Sequence, residues 1–456
     1  MSTEYEYIIV GSGAGGGTLA ARLAEQGRRV LVLEAGGDPV QMQGGDALYP
    51  ATNRLPQDYE VPVSHPFSVE NDAMKWDFWV RHYGSDALQK RDSKYREEWD
   101  GKRVDGVLYP RAGCLGGCTA HNAMITVYPH NEDWDALARL TGDPSWSAEN
   151  MRTYFEKMEN CRHRLFPYRW LAKLGFNPTR HGWNGWLQTE KAIPESALGD
   201  ETLVKILKKS FDAAFKDLGE PLSRIEWFLQ GQGDPNDWRL VRKNAFGIRY
   251  APLHTRNHGR LGTRERLIEV KDKHPNNLTL ELDALATRVL FDNNQRAIGV
   301  EYLKGERLYR AHKNPNREAG EKREARASRE VILAGGAFNT PQLLMLSGIG
   351  PRQELGKHGI PVRVELPGVG SNLQDRYEVG VVNRMNFDQW EVLAGAKYAK
   401  GDPQYQEWES NRKGVYTSNG AVLAAIKRSL PERPLPDLFC FALLARFPGY
   451  FPTYSA

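Results

Sequence analysis

A glycine pattern near the N-terminus constrains the fold more than any other part of this sequence. An apolar stretch, Tyr7 to Val10, predicts a strand and leads into Gly11, Gly13 and Gly16, which have the spacing G-x-G-x-x-G. Gly11 permits a tight turn, Gly13 lets the backbone approach a ligand, and Gly16 lets a following helix pack on the sheet. The alternative is a glycine-rich turn that binds nothing.

The residues after the glycines favour a nucleotide site. Thr18 to Gln26 predicts a helix and Val30 to Leu33 a second buried strand, which Glu34 follows, so a dinucleotide-binding fingerprint is complete and in register. The helix N-terminus offers amide donors and a favourable dipole to a pyrophosphate. Glu34 can accept hydrogen bonds from ribose hydroxyls. Ala14 and Ala35, next to these groups, belong to the same predicted site, which suits NAD or FAD.

Composition and charge narrow the class of protein. The 456 residues are too many for one ordinary core, so two domains are expected. Lys and Arg number 61 against 57 Asp and Glu, with no basic arm, which predicts no nucleic-acid partner. No apolar run reaches the roughly 20 residues of a membrane span. Four cysteines are too few for a disulfide scaffold, and Cys114 and Cys118 lack the C-x-x-C spacing of a zinc or redox site. Since the N-terminus enters a strand at once, leaving no room for a signal peptide, a cytoplasmic enzyme is expected.

The segment after Glu34 favours FAD over NAD. A simple NAD dehydrogenase continues with regular βαβ units, whereas residues 35–67 are rich in Gly, Pro and polar residues and predict long irregular structure. A strand, a glycine turn and a helix return only at residues 329–351, where Thr340 and Pro341 predict the helix start. A nucleotide domain split by inserted segments is typical of flavoproteins.

Three further motifs carry a family resemblance. The first is a glycine loop and its continuation, with Pro110, Arg111, Leu115, Gly116, Gly117, Thr119, Asn122, Met124, Trp134, Gly142 and Trp146 at signature positions. The second is residues 335–351, and the third is residues 366–375, "LPGVGSNLQD". Together they resemble the glucose–methanol–choline (GMC) family of FAD-dependent oxidoreductases. The family commonly has Gly where this chain has Ala112.

The resemblance implies roles for the residues of the glycine loop. Gly116 and Gly117 would let a flat flavin ring lie against the backbone, and Thr119 and Asn122 would offer polar groups to the flavin edge. Arg111 is a plausible partner for the pyrophosphate. In the family, the backbone of one residue in a later β-meander, residues 276–303 here, contacts adenine, and counting along the pattern places this residue near Ala286.

His121 raises a question of its own. In several members of the family, choline oxidase among them, a histidine two residues after the Ser/Thr carries the flavin covalently. A neutral imidazole is a competent nucleophile for that linkage, and a linkage should raise the flavin potential. The alternative is that His121 only forms hydrogen bonds. His181 is expected to be structural, and His254, His258, His274 and His358 are expected in loop-like or surface positions.

The predicted fold is α/β (α+β), a split Rossmann-like FAD-binding domain with an inserted or second substrate-binding domain. Residues 1–160 and 266–350 are assigned to the FAD-binding domain, and residues 161–265 largely to the substrate-binding domain. Residues 351–456 are assigned to the start of the substrate-binding domain, whose C-terminal remainder is expected to be absent. Residues 306–328 predict a charged surface hairpin or loop. The histidine base of the family is expected beyond residue 456, so the chain is interpreted as C-terminally truncated.

The predicted activity is oxidation of an alcohol by hydride transfer to FAD. The partners are a small-molecule alcohol and either oxygen or another electron acceptor, and the sequence leaves open both the alcohol and the choice between oxidase and dehydrogenase. Two alternatives remain at this point. One is a truncated, catalytically inactive flavin-binding protein, and the other is an NAD-linked dehydrogenase.

Overall fold

The fold is taken from a computed structural model of the chain, which describes residues 4–42, 55–164, 166–191, 200–216 and 233–455. In chain order the strands are β1 (Glu4–Val10), β2 (Val30–Leu33), β3 (Lys75–Val80), β4 (Arg96–Trp99), β5 (Lys102–Ala112), β6 (Glu159–Cys161), β7 (Leu187–Lys191), β8 (Gly247–Arg249), β9 (Pro252–Leu253), β10 (Thr255–Arg256), β11 (Gly259–Arg260), β12 (Leu278–Glu281), β13 (Ala284–Phe291), β14 (Ala297–Lys304), β15 (Glu321–Leu333), β16 (Ile349–Gly350), β17 (Val364–Glu365), β18 (Ala421–Lys427) and β19 (Leu438–Leu443). The helices are α1 (Ala14–Glu25), α2 (Gln57–Glu60), α3 (His65–Glu70), α4 (Asp86–Gln89), α5 (Asn131–Thr141), α6 (Ala148–Met158), α7 (Phe166–Lys173), α8 (Glu201–Lys216), α9 (Trp238–Val241), α10 (Thr263–Lys273), α11 (Gly336–Leu346), α12 (Arg352–Lys357) and α13 (Pro403–Asn411).

A six-stranded sheet with the order β12-β2-β1-β15-β14-β13 organises the nucleotide half. Strand β1 lies between β2 and β15 and runs parallel to both, and β12 runs parallel to β2. Strands β13, β14 and β15 form an antiparallel meander. Residues 276–303 were predicted as a meander, and β13 and β14 form the antiparallel pair within them, but β12 in the same range instead runs parallel to β2 at the opposite edge of the sheet. The mixed α/β class is therefore confirmed, and segments distant in sequence complete one sheet.

Both faces of β2 are buried, which explains its unbroken apolar run. In β2, Val30 and Val32 belong to one core cluster, whereas Leu31 and Leu33 belong to the cluster on the opposite face. Successive side chains of a strand point to opposite faces, so four consecutive apolar residues are what a strand covered on both sides requires. Helices α1 and α10 contribute Ala20, Ala21, Ala24, Leu267 and Val270 to the first cluster.

Several predicted boundaries were wrong. Helix α1 begins at Ala14, four residues before the predicted start, and α11 begins at Gly336, which places Pro341 inside that helix. Residues 321–328, predicted as part of a charged surface insertion, are the first part of β15 and pair with β14. Charged side chains are accommodated there because many of them stay exposed on that strand. A predicted helix C-cap at Gly219 lies outside the described residues.

Three smaller sheets and one helix position the rest of the molecule. The orders are β3-β5-β4, β6-β7-β9 and β19-β18-β8, and the last joins residues 247–249 to residues 421–443. Helix α10 packs beside α1 under the nucleotide sheet but crosses the predicted boundary at residue 265. The division of the chain into FAD and substrate segments stays a prediction. Within the described part of the chain, no helix has both the length and the apolar character that crossing a bilayer would need.

Candidate functional site

The first glycine loop turns at the carboxyl end of β1. Gly11 has a φ of +99°, and a Cβ placed there would lie 2.4 Å from the carbonyl oxygen of Ala334. A Cβ on Gly16 would lie 2.1 Å from the carbonyl oxygen of Gly11. Both positions therefore exclude any side chain, as the motif predicts for a tight turn and a close helix contact.

Helix α1 presents an uncapped N-terminus next to this turn. Gly13 is the N-cap residue, and it makes no side-chain capping hydrogen bond because it has no side chain. The amide groups of a first helical turn that lacks a cap have no acceptor within the helix. Together with the helix dipole, they form the kind of site that binds phosphate. The predicted residue Ala14 is exposed at this helix start.

Ser12 connects the two glycine loops, and sequence reasoning missed it. Its hydroxyl donates to Glu34 Oε2 over 2.5 Å and accepts from the amide of Gly116 over 3.0 Å. The amide of Gly36 donates to Glu34 Oε1 over 3.1 Å. Glu34 is only 7% exposed, and burial raises the pKa of its carboxyl although the hydrogen bonds from Ser12 oppose the rise. Because Oε2 also accepts from the amide of Ser12 over 3.1 Å, the lone pair left for a further donor such as a ribose hydroxyl is on Oε1.

The second glycine loop meets the first through backbone contact. Gly117 has a φ of +52°, and a Cβ there would lie 2.6 Å from the Cα of Gly13. Gly116, the residue before it, has a φ of +102° and caps a short 3₁₀ turn over residues 117–120. The structure therefore brings Gly13, Gly116 and Gly117 together at the end of β1, as a shared cofactor site requires.

The N-terminus of α10 secures this junction. The hydroxyl of Thr263 donates to the carbonyl oxygen of Ser12 over 2.9 Å, and the amide of Thr263 donates to Thr119 Oγ1 over 3.1 Å. Thr119 also donates to the carbonyl oxygen of Gly116 over 2.7 Å. The hydroxyl predicted to face a flavin edge is thus engaged within the protein. No motif in the sequence marked Thr263.

Asn122 is held in a buried polar cluster. Arg260 donates to Asn122 Oδ1 over 3.0 Å, and Asn122 Nδ2 donates to His254 Nε2 over 3.0 Å. The Nδ1–H of His254 donates to the carbonyl oxygen of Leu261 over 2.5 Å, so both ring nitrogens are used by a neutral imidazole. His254 lies between β9 and β10, outside both strands, as the expected loop-like position has it, but it is only 7% exposed and so not at the surface. Burial lowers its pKa to about 4.

Arg111, Cys118 and His121 lie on one side of the second loop. The guanidinium of Arg111 contacts Cys118 Sγ at 3.8 Å and lies over the rings of Tyr109 and Phe338. Burial raises the pKa of the Cys118 thiol, but its hydrogen bond to His121 and the charges of His121 and Arg111 outweigh that rise and lower the pKa to about 6. The cationic surroundings therefore favour a thiolate at neutral pH.

Two of these side chains have buried donor or acceptor atoms without a partner among the described residues. They are Nδ1 of His121, a residue that is 5% exposed, and Nε of Arg111. Buried polar atoms in folded proteins normally have hydrogen-bond partners. The uncapped start of α1, the glycine junction and these two atoms therefore fit a bound dinucleotide cofactor with polar groups of its own.

The remaining predicted contacts are distributed around the end of β2. Ala35 is half-buried between Glu34 and Gly36. Ala286 pairs with Tyr302 in the meander, on the edge strand of the sheet. Ala284, two residues earlier, donates its amide to the carbonyl oxygen of Glu34 over 2.8 Å. The adenine contact assigned to Ala286 stays a prediction, and Ala284 is the meander residue bonded to Glu34.

A family model described as GMC oxidoreductase matches residues 5–378. The chain belongs to the GMC oxidoreductase family. The mitochondrial choline dehydrogenase of Mus musculus is 32% identical over 380 residues, which cover 83% of this chain and 51% of the mouse protein. An oxygen-dependent choline dehydrogenase of Pseudomonas putida is 30% identical over 440 residues, covering 96% of this chain and 64% of the relative.

Solved structures agree with this GMC fold. A formate oxidase of Aspergillus oryzae RIB40 superposes with a TM-score of 0.65 at 21% identity, covering 93% of this chain and 62% of that one. An FAD-dependent oxidoreductase from Chaetomium thermophilum gives a TM-score of 0.61 at 23% identity, with the same two coverages of 93% and 62%. This GMC oxidoreductase chain spans between half and two thirds of the length of these relatives. Its predicted cytoplasmic location stays a prediction, since the mouse relative is named mitochondrial.

Proposed function

We propose that this chain holds FAD between its two glycine loops and that the protein oxidises a small alcohol. The observation that supports the proposal most directly is the backbone contact of Gly117 with Gly13. Next to it, the hydroxyl of Ser12 forms hydrogen bonds with both Glu34 and Gly116. This arrangement brings together a helix N-terminus that can bind phosphate, a carboxylate that can accept from ribose hydroxyls, and a loop without side chains. When bound, FAD would supply the acceptor for a hydride from the alcohol carbon.

Each residue near the junction has a task in this proposal. The first amides of α1 donate to the pyrophosphate. Glu34 accepts from a ribose hydroxyl through Oε1, which otherwise accepts only from the amide of Gly36. Gly116 and Gly117 give the flavin ring access to the backbone. Arg111 and the Cys118 thiol lie beside the same loop, where a cation stabilises negative charge on a reduced ring.

His121 is the attachment residue in this proposal. Its Nδ1 is buried and has no partner among the described residues. An imidazole nitrogen without a donor bound to it is available as a nucleophile toward an electrophilic carbon. The covalent bond is a finer claim than FAD binding, and the two are tested separately.

The first experiment asks how flavin is held. The purified chain is examined for flavin absorbance and is then precipitated with acid. Yellow colour in the pellet supports attachment, and His121→Ala should release it to the supernatant. Colour in the supernatant of the unchanged protein contradicts the attachment but supports dissociable FAD. A chain that takes up no flavin, even when FAD is added, contradicts the proposed site.

The substrate is tested by flavin bleaching under anaerobic conditions. Choline is the first alcohol to test because the mouse and Pseudomonas putida relatives described above are named choline dehydrogenases. Reoxidation by air indicates an oxidase, whereas reoxidation only by a dye indicates a dehydrogenase. If flavin binds and no alcohol in a broad panel bleaches it, the chain is a flavin-binding protein without this activity.

A further inference from the structure

A second group of chemically active side chains lies outside the cofactor site. Glu159, Cys161, His163 and His181 place four potential ligand atoms within 4.8 Å of one another. The first two residues begin and end β6, and His163 follows two positions later. The side chains of Glu159, His163 and His181 have no solvent exposure, and Cys161 is 1% exposed. The sequence analysis expected His181 to be structural and predicted no metal site, so this cluster was not anticipated.

Each histidine of the cluster has one ring nitrogen fixed from outside. His181 Nε2 lies 2.9 Å from Asp234 Oδ2, and His163 Nδ1 lies 3.0 Å from the hydroxyl of Tyr250. The other nitrogen of each ring lies toward Glu159, at 2.8 Å for His181 Nδ1 and 3.9 Å for His163 Nε2. This is how histidines that ligate a metal are usually oriented, with a carboxylate or other acceptor on the second nitrogen.

One atom of the cluster lacks a hydrogen bond of ordinary length. His163 Nε2 is fully buried, and its contact with Glu159 Oε1 at 3.9 Å is too long for a hydrogen bond. The carboxylate of Glu159 is by contrast well supported, since Gly182 donates to Oε2 over 2.9 Å and Thr189 donates to Oε1 over 3.0 Å. A buried nitrogen held at this distance from an oriented carboxylate leaves room for an ion between the two groups.

We propose that Glu159, Cys161, His163 and His181 bind one Zn²⁺ ion. One thiolate, two imidazoles and one carboxylate are the donors that zinc takes in proteins, and four of them close a tetrahedral structural site. The charges of Glu159 and the Cys161 thiolate match those of the ion. Asp234 is balanced separately by Arg164, whose Nε lies 3.8 Å from Asp234 Oδ2.

Loading the site requires small movements. Donors of a tetrahedral zinc site lie about 3.3 to 3.8 Å apart, given zinc–ligand bonds of about 2.0 to 2.3 Å. His181 Nδ1 and Glu159 Oε2 are 2.8 Å apart and must separate slightly, whereas donors near the 4.8 Å limit must approach. The hydrogen bond between His181 and Glu159 is replaced by two bonds to the metal. The protons on His163 Nε2, on His181 Nδ1 and on the Cys161 thiol leave to solvent, so binding weakens in acid.

The site would link three segments of the chain. It joins β6 to the turn at His181, and through Asp234 it reaches the loop at residues 233–237. Because no ligand position faces solvent, the ion would have a structural role rather than a catalytic one. This inference is independent of the proposed flavin chemistry, since the site shares none of its residues.

Metal content and cobalt substitution test the inference on the purified chain. Elemental analysis should find about one zinc per chain. After removal with a chelator, Co²⁺ should restore the site, and the cobalt-minus-zinc difference spectrum, in which flavin absorbance cancels, should show a sulfur-to-cobalt charge-transfer band and tetrahedral ligand-field bands. Zinc should also raise the thermal unfolding midpoint of the chelated chain.

Matched variants assign the ligands. Cys161→Ser should remove the charge-transfer band, whereas Cys440→Ser, at an exposed thiol on β19, should leave it unchanged. His163→Gln should abolish tight binding, and Asp234→Asn should weaken it by about 10- to 100-fold, the usual effect of removing a residue that orients a metal ligand. If the unchanged chain contains no zinc, gives no cobalt band and is not stabilised by added zinc, the inference is wrong, whatever the variants do.

Discussion

Ser12 donates its hydroxyl to the Glu34 carboxylate over 2.5 Å while the same oxygen accepts from Gly116 over 3.0 Å. One hydroxyl thereby links the turn after β1, the end of β2 and the second glycine loop. All three partners are at least partly buried, so water cannot replace the bonds at low cost. The geometry of the proposed cofactor site depends on this one side chain.

Ser12→Ala should destabilise the chain and weaken FAD binding. Removing a hydrogen bond to a charged group costs about 1.5 to 3 kcal/mol, and the Gly116 amide also loses its partner. Thr18→Ala is the matched control, because that hydroxyl donates only to the Ala14 carbonyl of its own helix, and the change should stay within about 0.5 kcal/mol. Denaturant unfolding and FAD titration measure both effects. Equal losses in the two variants would contradict the linking role of Ser12.

Gly117→Ala should abolish FAD binding. Its new Cβ would lie 2.6 Å from the Cα of Gly13, which forces the two loops apart. Gly27→Ala is the matched control, since Gly27 also has a positive φ, +79°, but a Cβ there meets nothing within 4 Å. The control should lose about 1 to 2 kcal/mol from backbone strain alone and keep its FAD. Loss of FAD in both variants would show that general destabilisation is the cause.

Cys118 should react with iodoacetamide well below the pH at which ordinary thiols react. Its pKa is lowered to about 6, so the thiolate predominates above that pH and the rate should fall as the pH drops through 6. Cys114, whose pKa burial raises well above 9.0, should stay unmodified in the folded chain. Peptide mass spectrometry follows both thiols. His121→Ala should move the Cys118 midpoint upward, and an unmoved midpoint would contradict the pairing of these side chains.

The unfolding free energy should fall in mild acid, in part because of His254. Burial lowers its pKa from 6.5 to about 4. Between these pH values the unfolded chain binds a proton that the folded chain does not, so stability rises with pH, by up to about 1.4 kcal/mol per pH unit for one such group. Urea unfolding at pH 5 and pH 7 should show a smaller difference for His254→Gln. The control His358→Gln, at an exposed position, should keep the full difference.

The nucleotide loop was predictable because its determinants are local. The spacing of Gly11, Gly13 and Gly16 indicates the backbone conformation that any glycine turn of this type needs. The continuous apolar run of Val30 to Leu33 indicates a strand that is buried on both faces. The start of α1 was misplaced because Gly15, Gly16 and Gly17 have weak helix propensity, whereas packing against the sheet and α10 decides the outcome.

Long-range placement was not predictable in the same way. Residues 321–328 have the composition of a surface loop, yet they become β15 because β14 pairs with them. His254 was expected in a loop-like or surface position, and its loop turns out to be buried, with hydrogen bonds to Asn122 and Leu261. Nothing in the local sequence of either segment encodes these neighbours.

The sequence by itself determined the family, the nucleotide-binding turn and the glycine loop at residues 116–117, because each depends on short-range backbone geometry and on residue types at fixed spacing. Only the tertiary structure decided that Gly117 touches Gly13, that Ser12 joins both loops to Glu34, and that Glu159, Cys161, His163 and His181 converge in a buried cluster. The physical reason is that these contacts form between segments up to about a hundred residues apart, and they are set by how strands and helices pack rather than by local preference.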